Sequence, residues 1–288
     1  MAPVRVALIA DIHHGTDKFT KKGSTALALM EEFRRFVAEA NPDAVIDLGD
    51  RISDVDRETD LRLEREIAEA FRPIVRPVYH ICGNHDRNWL SVAENEEIFG
   101  QPLGHRTIDL GGWRIVLWSA DTLVRTDGFK LSEGDFIWLA GVVRSADRPL
   151  AIMSHVPVSG HAQESNYYFE RNPQFSCYPN ADRVRALLRA ATIPVVWFSG
   201  HVHWNTVTMV DGIPHVTVQS LTETFTCHPE PAGTWGLLEL DDKVTWEAFG
   251  RDPFRFGIDA AATARRWVAP LPSFLDVPEI RSEVEFKR

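Results

Sequence analysis

The sequence lacks long apolar runs, and none of its 288 residues lies in a stretch near the roughly 20 that a membrane helix needs. Its first apolar run, Val6 to Ala10, is shorter than a signal-peptide core and has no cleavage site after it. Cysteine is also scarce. The three cysteines, Cys82, Cys177 and Cys227, are scattered and odd in number, which fits a reducing compartment better than a disulfide framework. We therefore expect a cytoplasmic protein without stable membrane insertion.

Positive charge is in short supply as well. The chain has 31 Lys and Arg against 41 Asp and Glu, which gives a formal charge of −10. An acidic surface repels phosphate backbones, so long nucleic acids are not expected as partners. With nine Trp and sixteen Phe, the chain can bury a sizeable core, which excludes intrinsic disorder.

The first part of the chain alternates apolar runs with helical patterns. Strand-like runs at 4–10, 44–48 and 78–82 are separated by amphipathic segments at 24–40 and 61–71. This β-α-β-α-β order predicts an α/β fold with parallel strands at its centre.

The last third of the chain is predicted to be mostly β-structure. Hairpin signals occur there at Asp211-Gly212 and Asp241-Asp242, and a further one occurs in the middle of the chain at Gly111-Gly112. After residue 250, Pro, Phe and Arg dominate. We therefore predict one domain over 1–250 and a C-terminal arm over 251–288, which packs on the body or on a partner subunit in a homo-oligomer.

The most informative pattern is the set of polar residues that follows five predicted strands. They are Asp11 and His13 after 4–10, Asp50 after 44–48, Asn84, His85 and Asp86 after 78–82, His155 after 150–154, and His201 and His203 after 195–198. Ligand sites in α/β folds lie outside the carboxyl ends of strands, so these residues should converge. Imidazole, carboxylate and amide ligands without thiolate suit Mn, Fe, Zn or Co better than calcium.

These segments carry a family resemblance. Asp11-Ile12-His13, Gly49-Asp50, Gly83-Asn84-His85-Asp86, His155 and Gly200-His201-Val202-His203 resemble the five signature blocks of the calcineurin-like metallophosphoesterases. The resemblance covers about residues 4–205. It implies a four-layer α/β/β/α sandwich with mixed β-sheets and a centre of two divalent transition-metal ions between the sheets.

The resemblance also implies a role for each block. Asp11, His13 and His203 would hold one metal, Asn84, His155 and His201 the other, and Asp50 would bridge them. A hydroxide generated on the two ions would attack phosphorus. His85 matches the family's non-ligand histidine and would stabilise developing charge or protonate the leaving oxygen. Asp86 is the candidate to orient His85, with a purely structural role as the alternative.

The substrate is less well defined than the metal centre. The block 83–86, followed by Arg87, is similar to the bacterial class III cyclic-nucleotide phosphodiesterase branch. The leading hypothesis is therefore a phosphodiesterase acting on a small phosphoester such as a cyclic nucleotide. The alternatives are a phosphomonoesterase or pyrophosphohydrolase on nucleotides or sugar nucleotides, and a lipid-directed phosphodiesterase. A non-catalytic scaffold is disfavoured, because every ligand position holds a competent residue.

Five residues are candidates for contact with the substrate: Arg51, Arg87, His161, Tyr167 and Arg171. Arg51 follows the second block and would place a cation near the phosphate, or would pair with Asp54 or Asp56. The last three lie in the loop 156–180, which leaves directly from the fourth block. Aromatic side chains there would stack on a base or pack on an apolar leaving group, or would simply hold the loop down.

Overall fold

The computed structural model describes residues 3–278. In this range the chain forms twelve strands and five α-helices. The strands are β1 Val4–Ile9, β2 Ala44–Asp47, β3 Val78–His80, β4 Arg106–Leu110, β5 Trp113–Leu117, β6 Leu150–Ser154, β7 Val195–Ser199, β8 Thr206–Val210, β9 Ile213–Thr217, β10 Trp235–Leu240, β11 Lys243–Phe249 and β12 Phe254–Asp259. The helices are α1 Ala26–Ala40, α2 Arg57–Phe71, α3 Val92–Phe99, α4 Glu133–Arg144 and α5 Ala181–Arg189.

The strands form two six-stranded sheets, both mixed. The first has the order β12-β11-β10-β1-β2-β3, with β1, β2 and β3 parallel and β10 to β12 antiparallel. The second has the order β4-β5-β6-β7-β9-β8, with β5, β6, β7 and β9 parallel. In both sheets the parallel strands point their carboxyl ends the same way, which is where ligand sites are expected.

Three apolar clusters divide the molecule into four layers. The central cluster joins the facing surfaces of the two sheets, with Leu8, Leu238 and Phe198 among its buried members. The second packs α4 and α5 on the outer face of the second sheet. The third packs α1 and α2 on the outer face of the first sheet. The predicted four-layer α/β/β/α sandwich is thereby confirmed.

Local signals determine where the helices begin and end. Helix α1 ends at Ala40, where the predicted segment also ends, because Asn41 adopts a left-handed conformation and Pro42 follows it. Helix α2 begins four residues earlier than predicted, because Asp56 caps it by accepting from the amide of Thr59. Helix α3, capped by a Ser91–Glu94 capping box, has no counterpart among the predicted elements. The three predicted hairpins all form.

The C-terminal segment contributes to the sheet before it leaves the body. Strand β12 pairs with β11 and forms the edge of the first sheet, a strand that was not predicted within the arm. Beyond it, Arg266 donates to the carbonyl of Leu188 and the amide of Trp267 donates to Asp211. The division at residue 250 stays a prediction, and residues 279–288 of the proposed arm lie outside the described residues.

Within residues 3–278, no helix combines the length and the apolar character that crossing a bilayer requires.

Candidate metal centre

The polar strand ends meet at one edge of the sandwich, between the two sheets. The amide of Asp11 donates to the carbonyl of Gly49, and the amide of His13 donates to that of Asp50. On the second sheet, the amide of Gly200 donates to the carbonyl of His155. These backbone hydrogen bonds hold the segments in two pairs, one at each sheet, and the amide of His201 links the pairs by donating to Oδ2 of Asp11 at 2.9 Å.

Five of the seven candidate metal ligands adopt left-handed backbone conformations. Their φ values are +50° at Asp11, +49° at His13, +56° at Asp50, +71° at His201 and +60° at His203. Non-glycine residues rarely occupy this region, and such strain clusters at functional sites because the surrounding structure must enforce it. The fold therefore holds these side chains in place even though their backbone conformations are unfavourable.

Two glycines leave room for the carboxylates of this centre. A Cβ atom on Gly83 would lie 2.1 Å from Oδ1 of Asp50, and one on Gly200 would lie 2.6 Å from Oδ2 of Asp11. Both positions therefore exclude any larger residue, since real Cβ contacts of this length do not occur.

One group of ligand atoms gathers Asp11, His13, Asp50 and His203, all buried. Nε2 of His203 lies 3.4 Å from Oδ1 of Asp11, and Nε2 of His13 lies 3.9 Å from Oδ2 of Asp50. The two Nε2 atoms of His13 and His203 lie only 2.9 Å apart. Two neutral imidazole lone pairs repel at that distance, so an electron acceptor, either a proton or a metal ion, is needed between them.

A second group shares Asp50 with the first and adds His155 and His201. Oδ2 of Asp50 lies 3.3 Å from Nε2 of His155, which in turn lies 3.3 Å from Oδ1 of Asn84. The structure therefore brings all seven predicted metal ligands together, with Asp50 common to both groups. A carboxylate has enough lone pairs to serve two ions at once.

Each of the four histidines is anchored through one ring nitrogen, which leaves the other for the centre. Nδ1 of His155 donates to the carbonyl of Leu48 at 2.9 Å, and Nδ1 of His13 donates to that of Ile52 at 3.3 Å. Nε2 of His201 donates to the carbonyl of Phe175 at 2.7 Å. Because carbonyls only accept, these bonds specify the tautomer, as is usual for metal-ligating histidines.

The fourth histidine is anchored by a carboxylate that the sequence did not reveal. Nδ1 of His203 donates to Oε2 of Glu223 at 3.0 Å. Burial alone would raise the pKa of Glu223, but the hydrogen bond from His203 lowers it to about 2. Glu223 is therefore ionised, and it holds His203 with Nε2 directed at the first group of ligands. The donor set and its supports fit two divalent ions.

Electrostatics in the centre favour a bound cation. Burial opposes the protonated form of His155, yet the charge of Asp50 raises its pKa to about 9. Asp11 raises the pKa of His203 to about 9 against the same penalty. In contrast, burial lowers the pKa of His201 to about 3. Metal binding would replace the protons on His155 and His203, so metal affinity should rise with pH.

His85 lies at the open side of the centre, with 28% of its side chain exposed. Its Nε2 lies 3.9 Å from Oδ2 of Asp50, and its ring packs edge-on against His13 at 4.8 Å between centroids. Its Nδ1 forms a hydrogen bond with Oδ1 of Asp54, and the other oxygen of that carboxylate accepts from Asn88. Asp54 therefore orients His85, a role that the sequence pattern suggested for a different residue.

Asp86 does not orient His85, and this part of the prediction is wrong. Its carboxylate accepts from the backbone amides of Gly83, Asp50 and Arg51 at 2.7 to 2.9 Å. The side chain is fully buried behind the metal-binding loops. Asp86 is thus the structural residue of the alternative interpretation, and it ties the second and third blocks together.

The structure also contradicts both sequence-based interpretations of Arg51. Its guanidinium is fully buried and bonds Glu64 at 2.9 Å, Asp47 at 3.1 Å and Asn95 at 2.9 Å. It does not pair with Asp54 or Asp56 and does not face the centre. Arg51 neutralises carboxylates in the interior, so it has no donor left for a substrate phosphate.

The other four substrate candidates differ in their contacts and in their exposure. His161 bonds Ser159 and Gln163, and burial lowers its pKa to about 4. Arg87 lies 3.8 Å from Asp121. Tyr167 is 54% exposed and Arg171 is exposed. Contact of these four residues with substrate stays a prediction.

Part of the loop 156–180 does reach the centre, through neighbours of the predicted residues. The ring of Tyr168 packs edge-on against His203, and that of Phe169 packs against His201 at 5.0 Å. Tyr167 stacks near Phe225 at 6.3 Å between centroids. An aromatic wall, defined as Tyr167, Tyr168 and Phe225, therefore lies beside the first group of ligands.

Comparison with known proteins agrees with this geometry. The family model for calcineurin-like phosphoesterases matches residues 4–205. The structure is similar to that of a dimetal phosphatase from Danio rerio, with a TM-score of 0.71 and 17% identity over 90% of this chain and 99% of that one. It is also similar to GAP50, the anchor in the inner membrane complex of Plasmodium, with a TM-score of 0.55 and 12% identity over 95% and 98% of the two chains. No curated protein matches the chain.

This fold and this site, a two-sheet sandwich with histidines and aspartates gathered at its strand ends, are those expected of a metal-dependent phosphoesterase. The chain belongs to the calcineurin-like phosphoesterase family, as the match over most of its length shows. The structural neighbours, at these identities, support the fold alone.

Proposed function

We propose that this protein is a hydrolase with a dinuclear metal centre that cleaves a small phosphodiester, such as a cyclic nucleotide. The observation that carries the proposal is the pair of ligand groups that share Asp50, with every histidine anchored through its second nitrogen. The similar protein from Danio rerio is a dimetal phosphatase, which supports a centre of two ions here. The ligand types favour Mn, Fe, Zn or Co.

Two divalent ions, when bound, would polarise the phosphoryl oxygens and lower the pKa of the attacking water. The chain itself supplies the acid. His85 would donate the proton on Nε2 to the leaving oxygen, because its other nitrogen is bonded to Asp54. Asp54 keeps the ring in place, with Nε2 on the side of Asp50. Asp50 holds the backbone amide of His85 at 2.8 Å, which ties the acid to the metal ligands.

The preference for a small substrate rests on charge and on the aromatic wall. A chain with ten excess acidic groups repels a long polyanion, whereas the two ions would supply positive charge locally. Tyr167 exposes more than half of its surface beside the centre and offers a flat face to a base. The three free cysteines are consistent with a reducing compartment such as the cytoplasm.

The diester preference is tested by metal-loaded protein on matched chromogenic substrates. Bis-p-nitrophenyl phosphate should be hydrolysed with a higher kcat/KM than p-nitrophenyl phosphate, and metal analysis should find about two transition ions per chain. If p-nitrophenyl phosphate is hydrolysed with a far higher kcat/KM, this result would favour a phosphomonoesterase and overturn the diester proposal. Protein that holds no metal and hydrolyses neither substrate after Mn²⁺ addition would instead be a scaffold.

A further inference from the structure

A lysine that plays no part in the proposed mechanism lies buried at the edge of the centre. Lys21 is only 5% exposed. It belongs to a short antiparallel ladder in which the amide of Lys22 donates to Thr222 at 2.9 Å and the amide of Thr224 donates to Thr20 at 3.0 Å. In this ladder Lys21 lies directly opposite Glu223.

The ladder determines where the lysine points. Directly opposed residues of an antiparallel pair place their side chains on the same face. Glu223 directs its carboxylate at Nδ1 of His203, 3.0 Å away. Lys21 therefore points toward the same side, which is the metal centre.

The segment that carries Lys21 is held firmly in this position. The hydroxyl of Thr20 lies 2.9 Å from that of Tyr168, and Thr224 donates its hydroxyl to the carbonyl of Thr20 at 2.8 Å. Gly23 packs so closely that a Cβ atom there would lie 2.5 Å from the carbonyl of His13. Lys21 is thus fastened both to the aromatic wall and to a loop that bears a ligand.

The ammonium group of Lys21 is within electrostatic reach of the centre but has no direct partner. Burial lowers its pKa, whereas the charges of Asp50, Glu223 and Asp54 oppose that shift. Its own charge contributes to the low pKa of His13. Among residues 3–278, no carboxylate lies within 4.0 Å of its Nζ and no hydrogen bond joins it.

The Nζ atom of Lys21 is not among the fully enclosed, unpaired side-chain atoms of residues 3–278, so it reaches accessible space at the edge of the centre. Two metal ions nearby would make a lysine without an anionic partner unfavourable there. Arg51 shows how this chain treats an interior cation that is structural, since every donor group of its guanidinium is bonded. Lys21 lacks such partners and faces a centre that binds anions once metal is present. A ligand with several anionic oxygens would complete its surroundings.

We propose that Lys21 binds a non-bridging phosphoryl oxygen of the substrate, and of the phosphate product, at the metal centre. The inference rests on the proposed function in that it assigns the phosphoryl group to this centre. It adds a substrate contact that none of the five family blocks contains, from a segment between β1 and α1.

The test uses inorganic phosphate as the probe and calorimetry as the measurement. Wild type, Lys21→Met and Lys22→Met are loaded with Mn²⁺ and their metal content is determined. Lys22 is the matched control because it is the next residue along and its side chain is 42% exposed. We expect Lys21→Met to weaken phosphate binding by about 10- to 100-fold at unchanged metal content, and Lys22→Met to bind as wild type does.

Lys21→Arg keeps the charge and should bind phosphate within about tenfold of wild type. Equal losses in Lys21→Met and Lys21→Arg, or unchanged phosphate binding in Lys21→Met, would overturn the inference. So would loss of metal from Lys21→Met, which would show a role in holding the ligands instead. If Lys21→Met does not fold, Lys21→Gln replaces it in the same comparison.

The outcome is separable from that of the proposed function. Wild type that hydrolyses phosphoesters while Lys21→Met binds phosphate normally would overturn the role of Lys21 alone. Wild type that hydrolyses no phosphoester, yet binds phosphate through Lys21, would overturn the proposed reaction and leave the lysine as an anion contact.

Discussion

Two buried polar clusters contact each other in this protein, and they differ in how the charge of their carboxylates is compensated. The arginine cluster consists of Asp47, Arg51, Glu64, Asp86 and Asn95. The metal centre consists of Asp11, His13, Asp50, Asn84, His155, His201 and His203. Asp86 of the first cluster accepts from the amide of Asp50 in the second at 2.9 Å, so the two are in contact.

In the arginine cluster the chain supplies the cation. The guanidinium of Arg51 also donates to the carbonyl of Ile81 at 2.8 Å and packs over the ring of Phe99. In the metal centre, no Lys or Arg of residues 3–278 forms an ion pair with Asp11 or Asp50. The first cluster therefore contains a cation of the chain itself, whereas the carboxylates of the second are left available for bound cations.

The largest expected effect is loss of the shared carboxylate. Asp50→Asn keeps the shape of the side chain but removes the charge that both ligand groups share. We expect metal content to fall below about two ions per chain and kcat/KM to fall by about 10³-fold or more. Metal analysis and steady-state kinetics measure both.

The exposed turn residue Asp242 provides the matched control as Asp242→Asn. If Asp50→Asn retained two ions and full activity, the metal centre would not depend on its common ligand.

Removal of the cation from the arginine cluster should act on stability. Arg51→Met leaves buried carboxylates uncompensated, so the free energy of unfolding should fall by about 3–5 kcal/mol, as for other broken buried ion pairs. Urea denaturation measures this. Arg57→Met removes an exposed partner of Glu94 and should leave the free energy of unfolding nearly unchanged.

A variant Arg51→Met of normal stability with a raised KM would contradict this contrast between the two clusters. It would restore the interpretation of Arg51 as a substrate residue.

Removal of the carboxylate that positions His85 should have an effect of intermediate size. Asp54→Asn removes the carboxylate that orients the ring, and we expect kcat to fall by about 100-fold while metal content is retained. Asp56→Asn is the control, since asparagine caps a helix as well as aspartate does. Equal activity of the two variants would contradict the role of Asp54.

The smallest effect concerns the charge balance of the arginine cluster. Burial raises the pKa of Glu64 well above its usual value. The folded protein therefore keeps a proton that the unfolded chain releases above about pH 4.5, and stability falls by up to about 1.4 kcal/mol per pH unit as pH rises toward the folded-state pKa. Glu64→Gln removes this dependence. Its free energy of unfolding should fall less with pH than that of wild type, as measured by denaturation from about pH 5 to 7.

Exposed Glu69, on the same helix, is the control as Glu69→Gln and should leave the pH dependence unchanged. Parallel pH curves for wild type and Glu64→Gln would show that Glu64 is ionised in the folded state.

Much of the fold and most of the candidate centre were predictable, because both depend on short local sequence patterns of apolar and polar residues. An apolar run followed by Asp11 and His13 predicts a strand with polar residues at its end, whatever the rest of the chain does. Strand β12 and helix α3 were missed. In β12 only alternate residues are half-buried, so its pattern differs little from that of a loop. Helix α3 has only eight residues, and half of them are polar, so its apolar pattern is too short to stand out.

The sequence by itself determined which side chains stand at the strand ends and therefore which residues could bind metal. Tertiary structure alone decided which charges meet. Asp54, Glu223 and Lys21 reach the centre from outside the strand-end pattern, and Arg51 turns inward although its neighbour Asp50 belongs to both groups of candidate ligands. The reason is physical. Burial on one face follows from local periodicity, but the pairing of charges depends on distances between distant segments and on the desolvation that only the packed chain imposes.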